Sequence, residues 1–194
     1  VVSDEIHADM ALFGAQHCPF AAISACAAAN SITLGAPTKT FNLAGVVSSY
    51  AIVPDDGLRQ RFFDWLQARE LNEPTVFAPI ATVAAFRHGE KWRREMLAYV
   101  EDNIRFVEAY CREHLSAVRP IRPDASFLVW LDCRELGLAH DDLLDLFVDK
   151  ARLALNDGEM FGMGGAGFMR LNVGTPRAVL EQAMERLAAA VAQL

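Results

Sequence analysis

The sequence predicts an α/β protein, in which strands and helices alternate along the chain. Short apolar segments rich in β-branched residues, such as residues 46–53, are typical of strands. Longer segments whose apolar residues recur every three or four positions, such as residues 92–115, are typical of helices. The chain has 194 residues, 53% of them hydrophobic, which is enough apolar material for one full core or two small ones. Because the two kinds of segment alternate, the α/β class is favoured.

The first part of the chain contains three predicted strands and three predicted helices. They are a strand over residues 1–6, a helix over 21–29, strands over 31–35 and 46–53, a helix over 58–70, and a helix that opens at Pro74. Residues 46–53 are apolar and β-branched, as in a strand that is buried on both faces. The sequence PDDG at residues 54–57 consists of residues that favour turns, so it ends this strand.

A long amphipathic helix is predicted next, because one apolar stripe runs without interruption from Trp92 to Leu115. Pro120 and Pro123 then break the chain. The elements predicted after them are a strand over residues 125–132, a helix over 140–151, a strand over 168–173 and a final helix whose first position is Pro176. These elements divide the chain into residues 1–88, a connecting helix over 89–115, and a small domain over 116–194.

Composition limits the possible partners. The formal net charge is −7 and the isoelectric point is near 5.2, whereas a nucleic-acid-binding protein needs a basic face. No apolar run reaches the roughly 18 residues of a membrane span, so we expect neither nucleic acid nor membrane as a partner. The four cysteines are widely spaced and have apolar neighbours in the sequence, which predicts reduced core residues of a cytoplasmic protein. None of the close cysteine or histidine spacings of a zinc site occurs, so no metal is expected.

A glycine-rich segment, GMGGAG at residues 162–167, matches the pattern of a dinucleotide-binding turn. That turn requires a preceding strand and a helix directly after it, whose amino terminus meets the pyrophosphate. Here a predicted strand follows the glycines instead. The segment is therefore interpreted as a loop that uses glycine for its turns.

Two parts of the first domain carry candidate functional residues. Lys39 lies in a polar turn at residues 36–40, where a lysine is either a solvated loop residue or a nucleophile activated by its surroundings. Asp4 and His7 lie at the end of the first predicted strand, where α/β sheets gather ligand-binding groups. An acidic residue such as Asp4 can also form a surface ion pair of little energetic weight.

Arg170 is the third candidate, because it interrupts the otherwise apolar strand at residues 168–173. A guanidinium in such a position needs a partner. Either it pairs with a structural carboxylate, or it binds a carboxylate ligand through its planar fork. The residues alone leave both possibilities open.

Three segments, in their order and spacing, resemble fold-type I pyridoxal-phosphate (PLP) enzymes. They are SDEIHAD at residues 3–9, APTKTFNLAG at 36–45 and GFMRLNVG at 167–174. Within the class I/II aminotransferase family, the histidine at position 7 and the sequence HCPF at residues 17–20 are similar to the cystathionine β-lyase branch. The resemblance covers the whole chain but only the second half of the family's length. It implies the carboxy-terminal part of a PLP-dependent transferase-like fold, with residues 1–88 from the large PLP-binding domain.

The resemblance also implies roles for individual residues. Lys39 would hold the cofactor covalently and, once released by the substrate, remove the Cα proton. Asp4 would pair with the protonated pyridine nitrogen. His7 would lie near the phenolic oxygen and Thr38 near the phosphate. Arg170 would bind the α-carboxylate of an amino-acid substrate.

The implied activity is a carbon–sulfur lyase that acts on cystathionine or a cysteine S-conjugate and gives pyruvate, ammonia and a thiol. The resemblance further implies a homodimer. Many aminotransferases carry a phosphate-binding arginine where this chain has Val47, and the lyase branch often lacks it too. The alternatives are a class I/II aminotransferase and a non-catalytic fragment without cofactor. Because the chain begins with β-branched residues and no Met, we expect a fragment. The resemblance implies that this fragment is poorly active alone, since the family's first half supplies the phosphate-binding amides and the aromatic ring that stacks on the cofactor.

Overall fold

The computed structural model describes all 194 residues and divides into two compact units, Val1–Leu97 and Ala98–Leu194. The elements of the first unit are β1 (Val2–Asp4), α1 (Ala25–Ala29), β2 (Ile32–Gly35), β3 (Tyr50–Ile52), α2 (Asp56–Gln67) and α3 (Phe77–His88). The long helix α4 (Glu90–His114) begins in this unit and continues into the second. No helix of the chain combines the length and the apolar character needed to cross a lipid bilayer.

The first unit contains a three-stranded sheet in the order β1–β2–β3. Strands β1 and β2 are parallel, with Asp4 opposite Leu34, and β3 pairs with β2 in the antiparallel direction. The backbone N–H of Glu5 donates to the carbonyl of Leu34 at 2.8 Å and extends the pairing by one residue. Because parallel strands end at the same edge of a sheet, the residues that follow β1 and those that follow β2 emerge together.

The strand predicted over residues 46–53 is wrong in its length and in its burial. Residues Ala44–Val46 form a 3₁₀ turn, and Val47 has a left-handed backbone with φ of 52°, which an extended strand does not allow. Only Tyr50–Ile52 forms a strand, and both of its end residues are exposed. The segment lies at an edge of this sheet, so its β-branched residues do not indicate burial on two faces.

Two helix boundaries of the first unit also differ from the prediction. The segment predicted as one helix over residues 21–29 is divided into a 3₁₀ turn at Phe20–Ala22 and helix α1. Ser24 separates them, since its hydroxyl accepts the backbone N–H of Ala27 at 3.0 Å and caps α1. Helix α3 begins at Phe77 rather than at Pro74.

The second unit contains a four-stranded antiparallel sheet with helices. Its elements after α4 are β4 (Arg119–Ile121), β5 (Leu128–Asp132), α5 (His140–Asp145), β6 (Asn156–Asp157), β7 (Phe168–Asn172) and α6 (Arg177–Val191), and the strand order is β4–β5–β7–β6. Alternate residues of the two central strands are buried: Val129, Leu131, Met169 and Leu171. A π-helical turn, Leu146–Lys150, continues α5 and accounts for the rest of the helix predicted there. Pro176 precedes α6 as its cap instead of occupying its first position.

The prediction of one long helix is confirmed, because α4 runs without interruption from Glu90 to His114. Its buried residues in the second unit repeat with helical spacing: Val100, Asn103, Ile104, Val107 and Cys111. The domain limits at residues 88 and 116 stay a prediction; the division between the compact units falls within α4, after Leu97.

Cysteine burial differs between the two units. Cys111 and Cys133 are buried, as predicted, and burial raises the pKa of each thiol to about 12. Cys18 and Cys26 are exposed in this chain, so the prediction of core residues is wrong for these two. Apolar neighbours in the sequence do not ensure burial when the local backbone is a surface turn or a short helix.

Candidate functional site

Lys39 lies in a turn that follows β2 directly. Two backbone hydrogen bonds close this turn around it: the N–H of Phe41 donates to the carbonyl of Pro37, and the N–H of Leu43 donates to that of Thr38, both at 2.9 Å. The Lys39 side chain is exposed and forms no salt bridge. The backbone around Lys39 is therefore fixed by hydrogen bonds, while its amine is exposed to solvent.

Asp4 ends β1 and lies at the same sheet edge as the Lys39 turn. Its main-chain partner in β2 is Leu34, five residues before Lys39. One carboxylate oxygen, Oδ1, accepts the backbone N–H of Ile6 at 3.3 Å, and the side chain is otherwise exposed. The parallel pairing of β1 and β2 therefore brings a carboxylate and a lysine-bearing turn to one edge.

His7 and Thr38 occupy the two loops that leave this edge. His7 is half-buried, and its carbonyl accepts the N–H of Met10 at 3.0 Å at the start of the 3₁₀ turn Ala8–Met10. Thr38 is half-buried beside Lys39. The neighbouring Thr40 is fully buried, and its hydroxyl has no hydrogen-bond partner. A buried hydroxyl without a partner is unusual in a folded protein.

Glu5 organises this edge, although sequence reasoning did not single it out. Its carboxylate accepts the Ser3 hydroxyl at 2.9 Å and the backbone N–H of Phe20 at 3.0 Å, and Nε2 of His17 lies 2.7 Å from its second oxygen. Burial alone would raise the pKa of Glu5, but the hydrogen bonds from His17, Phe20 and Ser3 outweigh it and hold the pKa below its usual value. Glu5 is therefore a charged, structural carboxylate that fixes the HCPF segment against the end of β1.

Tyr50 covers the end of β2. This contact between Tyr50 and Gly35 was not predicted from the sequence. Its ring lies over Gly35, where an added Cβ would come within 2.4 Å of a ring carbon. Only glycine allows this approach. Burial, and then the negative charges of Asp9 and Glu5, raise the pKa of the Tyr50 hydroxyl, so it stays protonated.

A cavity of about 250 Å³ lies elsewhere in the first unit, and it is lined by Ala8, Asp9, Ala11, Phe41, Phe86, Glu90 and Arg93. The guanidinium of Arg93 is already paired there, because Nε and Nη2 donate to the Glu90 carboxylate and Nη1 donates to the carbonyl of Asp9 at 2.9 Å. None of the predicted site residues lines this cavity. We therefore place the candidate site at the sheet edge and not in the cavity.

Arg170 belongs to the second unit and lies in the middle of β7. Its Nη2 donates to Oδ1 of Asn156 at 3.0 Å, and its guanidinium carbon lies 4.3 Å from the ring centre of Phe161. It forms no salt bridge, and its Nε is shielded from solvent without a hydrogen-bond partner. The sequence left two alternatives open for Arg170, a structural ion pair or a carboxylate ligand. The structure shows no carboxylate of the chain paired with Arg170.

The candidate residues thus fall into two groups, with Lys39, Asp4, His7 and Thr38 in the first unit and Arg170 in the second. The first group supplies a free amine, a carboxylate, an imidazole and a hydroxyl at one sheet edge. The second supplies a cation whose charge no neighbouring side chain neutralises. The groups of the first unit are suited to binding an aldehyde and a basic ring nitrogen, and the guanidinium of the second is suited by itself to binding a carboxylate.

Comparisons with known proteins show the family to which the chain is related. The family model described as aminotransferase class I and II matches residues 1–187. Cystathionine beta-lyase PatB of Bacillus subtilis (strain 168) is 41% identical over 191 residues, which are 98% of this chain and 49% of that protein.

Two solved structures are similar to nearly the whole of this chain, and each match covers about half of the solved structure. A PLP-bound protein of Clostridium difficile 630 has a TM-score of 0.95 and 38% identity, covering 98% of this chain and 49% of that one. Cystalysin of Treponema denticola, which contains pyridoxal 5′-phosphate, has a TM-score of 0.93 and 29% identity, with coverage of 99% and 49%. The chain spans about half the length of the relatives it matches. The fold predicted from the sequence is confirmed.

Proposed function

Since this chain belongs to the aminotransferase class I and II family, we propose that the complete protein is a PLP-dependent carbon–sulfur lyase. The observation that carries the proposal is the shared sheet edge, where Asp4 and the Lys39 turn emerge from parallel strands. The 41% identity to a cystathionine β-lyase supports the lyase over other activities of the family. The substrate is cystathionine or a related cysteine S-conjugate, and the products are pyruvate, ammonia and a thiol.

The residues present fit the cofactor by their chemistry. Lys39 offers an exposed amine without a salt-bridge partner, and Asp4 offers an exposed carboxylate at the same edge. The buried Thr40 hydroxyl has no protein partner. When bound, pyridoxal 5′-phosphate supplies an electron sink for the charge that develops on the substrate's Cα.

Lys39 has two tasks in this proposal. Its amine would hold the cofactor at the aldehyde carbon and, once the substrate's amino group has taken its place there, would accept the Cα proton. Both tasks need an amine that can reach the ligand while its backbone stays fixed. The two hydrogen bonds that close the turn around Lys39 meet that need.

Asp4 would pair with the cofactor's pyridine nitrogen and keep that nitrogen protonated. A carboxylate beside a basic nitrogen favours the charged form and raises that nitrogen's pKa. The N–H of Ile6 donates to one oxygen of the Asp4 carboxylate and helps to orient it. In the same proposal, His7 would lie near the phenolic oxygen and Thr38 near the phosphate.

Arg170 binds the α-carboxylate of the amino-acid substrate. Its charge is not neutralised by a carboxylate of the chain, and a planar fork matches a planar carboxylate. Removal of the Cα proton by Lys39 would then allow the bond from Cβ to sulfur to break. The sulfur leaves as a thiolate with the electron pair of that bond and takes up a proton to give the thiol, and water converts the remaining three-carbon enamine to pyruvate and ammonia.

An aminotransferase is the second candidate, because the matching family model is described as that of class I and II aminotransferases. Both activities begin with removal of the Cα proton by the lysine. They differ afterwards, since the lyase expels the β-thiol while the aminotransferase returns a proton to another carbon. Pyruvate and thiol without an added keto acid identify the lyase.

A non-catalytic fragment is the third candidate, because the chain spans about half of its relatives. We propose that the 194-residue chain alone is a poor catalyst, since the other half of each relative contributes to the whole enzyme. Turnover of cystathionine by this chain at a rate comparable to that of the complete protein contradicts this part of the proposal.

The proposal includes a cytoplasmic location and a homodimer. Helix α3 supports the homodimer, because large apolar side chains on it are exposed: Phe77, Ile80, Val83 and Phe86. Beside them a groove of about 440 Å³ is lined mainly by alanines and aromatic rings of the first unit. A contiguous apolar surface of this kind is typical of a protein interface. The mass of the complete protein in light scattering tests the homodimer.

The proposed activity is tested by pyruvate release from cystathionine in the complete protein loaded with PLP. We expect Lys39→Ala to lower kcat by at least about 1,000-fold, because it removes the general base and the covalent anchor. Asp4→Asn retains PLP but lowers kcat. The matched control is Lys91→Ala, whose side chain is exposed on α4 and which retains wild-type turnover. Wild-type turnover by Lys39→Ala contradicts the proposal.

A further inference from the structure

Arg170 lies in a row of three side chains that crosses the sheet of the second unit. In the strand register, Arg170 is opposite Trp130 of β5 and also opposite Asn156 of β6. Residues directly opposite one another on neighbouring strands project to the same face. Arg170 therefore lies between Trp130 and Asn156 on one face of the sheet.

Phe161 completes this arrangement from a loop. Its ring makes an edge contact with Trp130, with 5.4 Å between ring centres, and the guanidinium carbon of Arg170 lies 4.3 Å from the Phe161 ring centre. An aromatic ring attracts a cation through its face but accepts no hydrogen bond in the guanidinium plane. Phe161 thus restrains Arg170 without using the N–H groups that a carboxylate needs.

Asn156 restrains the same guanidinium by a different interaction. Its Oδ1 accepts a hydrogen bond from Nη2 of Arg170 at 3.0 Å. An amide oxygen is neutral, so it orients the guanidinium and leaves its positive charge in place. An aspartate at this position would neutralise that charge.

The loop that carries Phe161 is itself fixed. Oδ1 of Asp157 accepts the N–H of Glu159 at 2.9 Å and caps the 3₁₀ turn Gly158–Phe161, and Nε2 of His140 lies 3.3 Å from the other oxygen of Asp157. The backbones of Gly158 and Gly165 are in close contact, since a Cβ on Gly165 would come within 1.8 Å of the Gly158 carbonyl oxygen. Such close backbone packing limits the freedom of the turn.

We propose that Phe161 and Asn156 are positioning residues for Arg170, which hold its guanidinium in one orientation with its charge uncompensated and ready for a carboxylate. The inference rests on the proposed function, because it assumes that Arg170 binds the carboxylate of the substrate. In this arrangement Nε of Arg170 has no hydrogen-bond partner within the chain.

The inference predicts a change in KM with little change in kcat, because the carboxylate is bound equally before and during the reaction. In the complete protein, Phe161→Leu raises KM on the order of 10-fold, since it removes the cation–π contact. Phe161→Tyr keeps the ring and restores a KM near that of wild type. Asn156→Asp raises KM more than Asn156→Ala does, because the new carboxylate competes with the substrate. Met160→Leu, an exposed change in the same turn, leaves KM unchanged.

A second measurement does not depend on activity. In the 194-residue chain, the ¹H–¹⁵N heteronuclear NOE of the Arg170 Nε–Hε group reports the mobility of the guanidinium. The group is rigid in wild type and in Phe161→Tyr and becomes mobile in Phe161→Leu. Equal mobility in wild type and Phe161→Leu overturns the inference.

Arg170→Lys separates this inference from the proposed function. If Arg170→Lys raises KM while Phe161→Leu and Asn156→Asp do not, the inference is overturned and the carboxylate role of Arg170 stands. If Arg170→Lys leaves KM at the wild-type value, the proposed role of Arg170 fails and the inference fails with it.

Discussion

Nε2 of His17 lies 2.7 Å from Oε2 of Glu5, and this contact fastens the loop after β1 to the end of the strand that carries Asp4. The Glu5 side chain is only 8% exposed, and its other oxygen accepts hydrogen bonds from Ser3 and from the backbone of Phe20. A single ionised carboxylate therefore organises the sheet edge on which the proposed site depends.

The stability of the 194-residue chain is expected to fall in acid because of Glu5. A carboxyl whose pKa is lowered by folding stabilises the folded state above the pKa of the unfolded chain, near 4.3, and this contribution is lost as pH falls toward the folded pKa. Glu5→Gln lowers the free energy of unfolding at pH 7 by about 1 kcal/mol and flattens its dependence on pH below 5. Urea denaturation at several pH values measures both effects.

The control for this prediction is Glu73→Gln, because Glu73 is exposed and has no charged partner. It leaves the pH dependence as in wild type. If Glu5→Gln and Glu73→Gln have the same pH profile, Glu5 is not a structural carboxylate.

Gly165 is expected to tolerate no side chain. Gly165→Ala places a Cβ 1.8 Å from the backbone oxygen of Gly158, so the two turns must separate at a cost of about 2 kcal/mol or more. Gly164→Ala is the matched control, since nothing lies within 4 Å of an added Cβ there. Thermal unfolding compares the two variants. A similar loss of stability in both contradicts the close packing of Gly158 and Gly165.

Asn103 is expected to be essential for the stability of the second unit. It is fully buried on α4, where its Nδ2 donates to the carbonyls of Val173 at 2.8 Å and Thr175 at 2.9 Å. Asn103→Ala leaves both carbonyls without these donors and lowers the free energy of unfolding by about 2–3 kcal/mol. Arg112→Ala, an exposed change on the same helix, stays within about 0.5 kcal/mol of wild type. Equal urea midpoints for the two variants contradict this role.

The cysteines of the isolated chain are expected to react in two classes. Cys18 and Cys26 are exposed, whereas burial raises the pKa of Cys111 and Cys133 to about 12 and also blocks access. Iodoacetamide at neutral pH therefore labels the first pair faster than the second, on the order of 100-fold. Peptide mass spectrometry gives the rates. Labelling of Cys111 as fast as that of Cys18 contradicts the structure of the core.

The sequence predicted most elements of the fold where their periodicity was strong. The stripe from Trp92 to Leu115 is long enough that only a helix buries it, and α4 has nearly these limits. The segment around Val47 was misjudged because β-branched residues favour strands locally, whereas a left-handed residue and an edge position are determined by the folded chain. Cys18 was misjudged because burial depends on tertiary contacts.

The candidate site was predictable only in part. Lys39, Asp4 and Arg170 were singled out by their positions in predicted strands and turns, and the resemblance then implied their roles. Glu5 and Phe161 were missed, because their importance comes from contacts with residues distant in the sequence, such as His17 and Arg170. The local sequence offered one signal for Phe161, namely its position directly before the glycine-rich segment.

The most direct test of the proposed function is to identify the lysine that binds the cofactor. Sodium borohydride converts the reversible link between a lysine amine and the aldehyde of pyridoxal phosphate into a stable secondary amine. Peptide mass spectrometry of the reduced, complete protein then locates the label. Lys39, Lys91 and Lys150 are the three lysines of this chain. We expect the label on Lys39, and a label on Lys91, Lys150 or a lysine outside this chain contradicts the account.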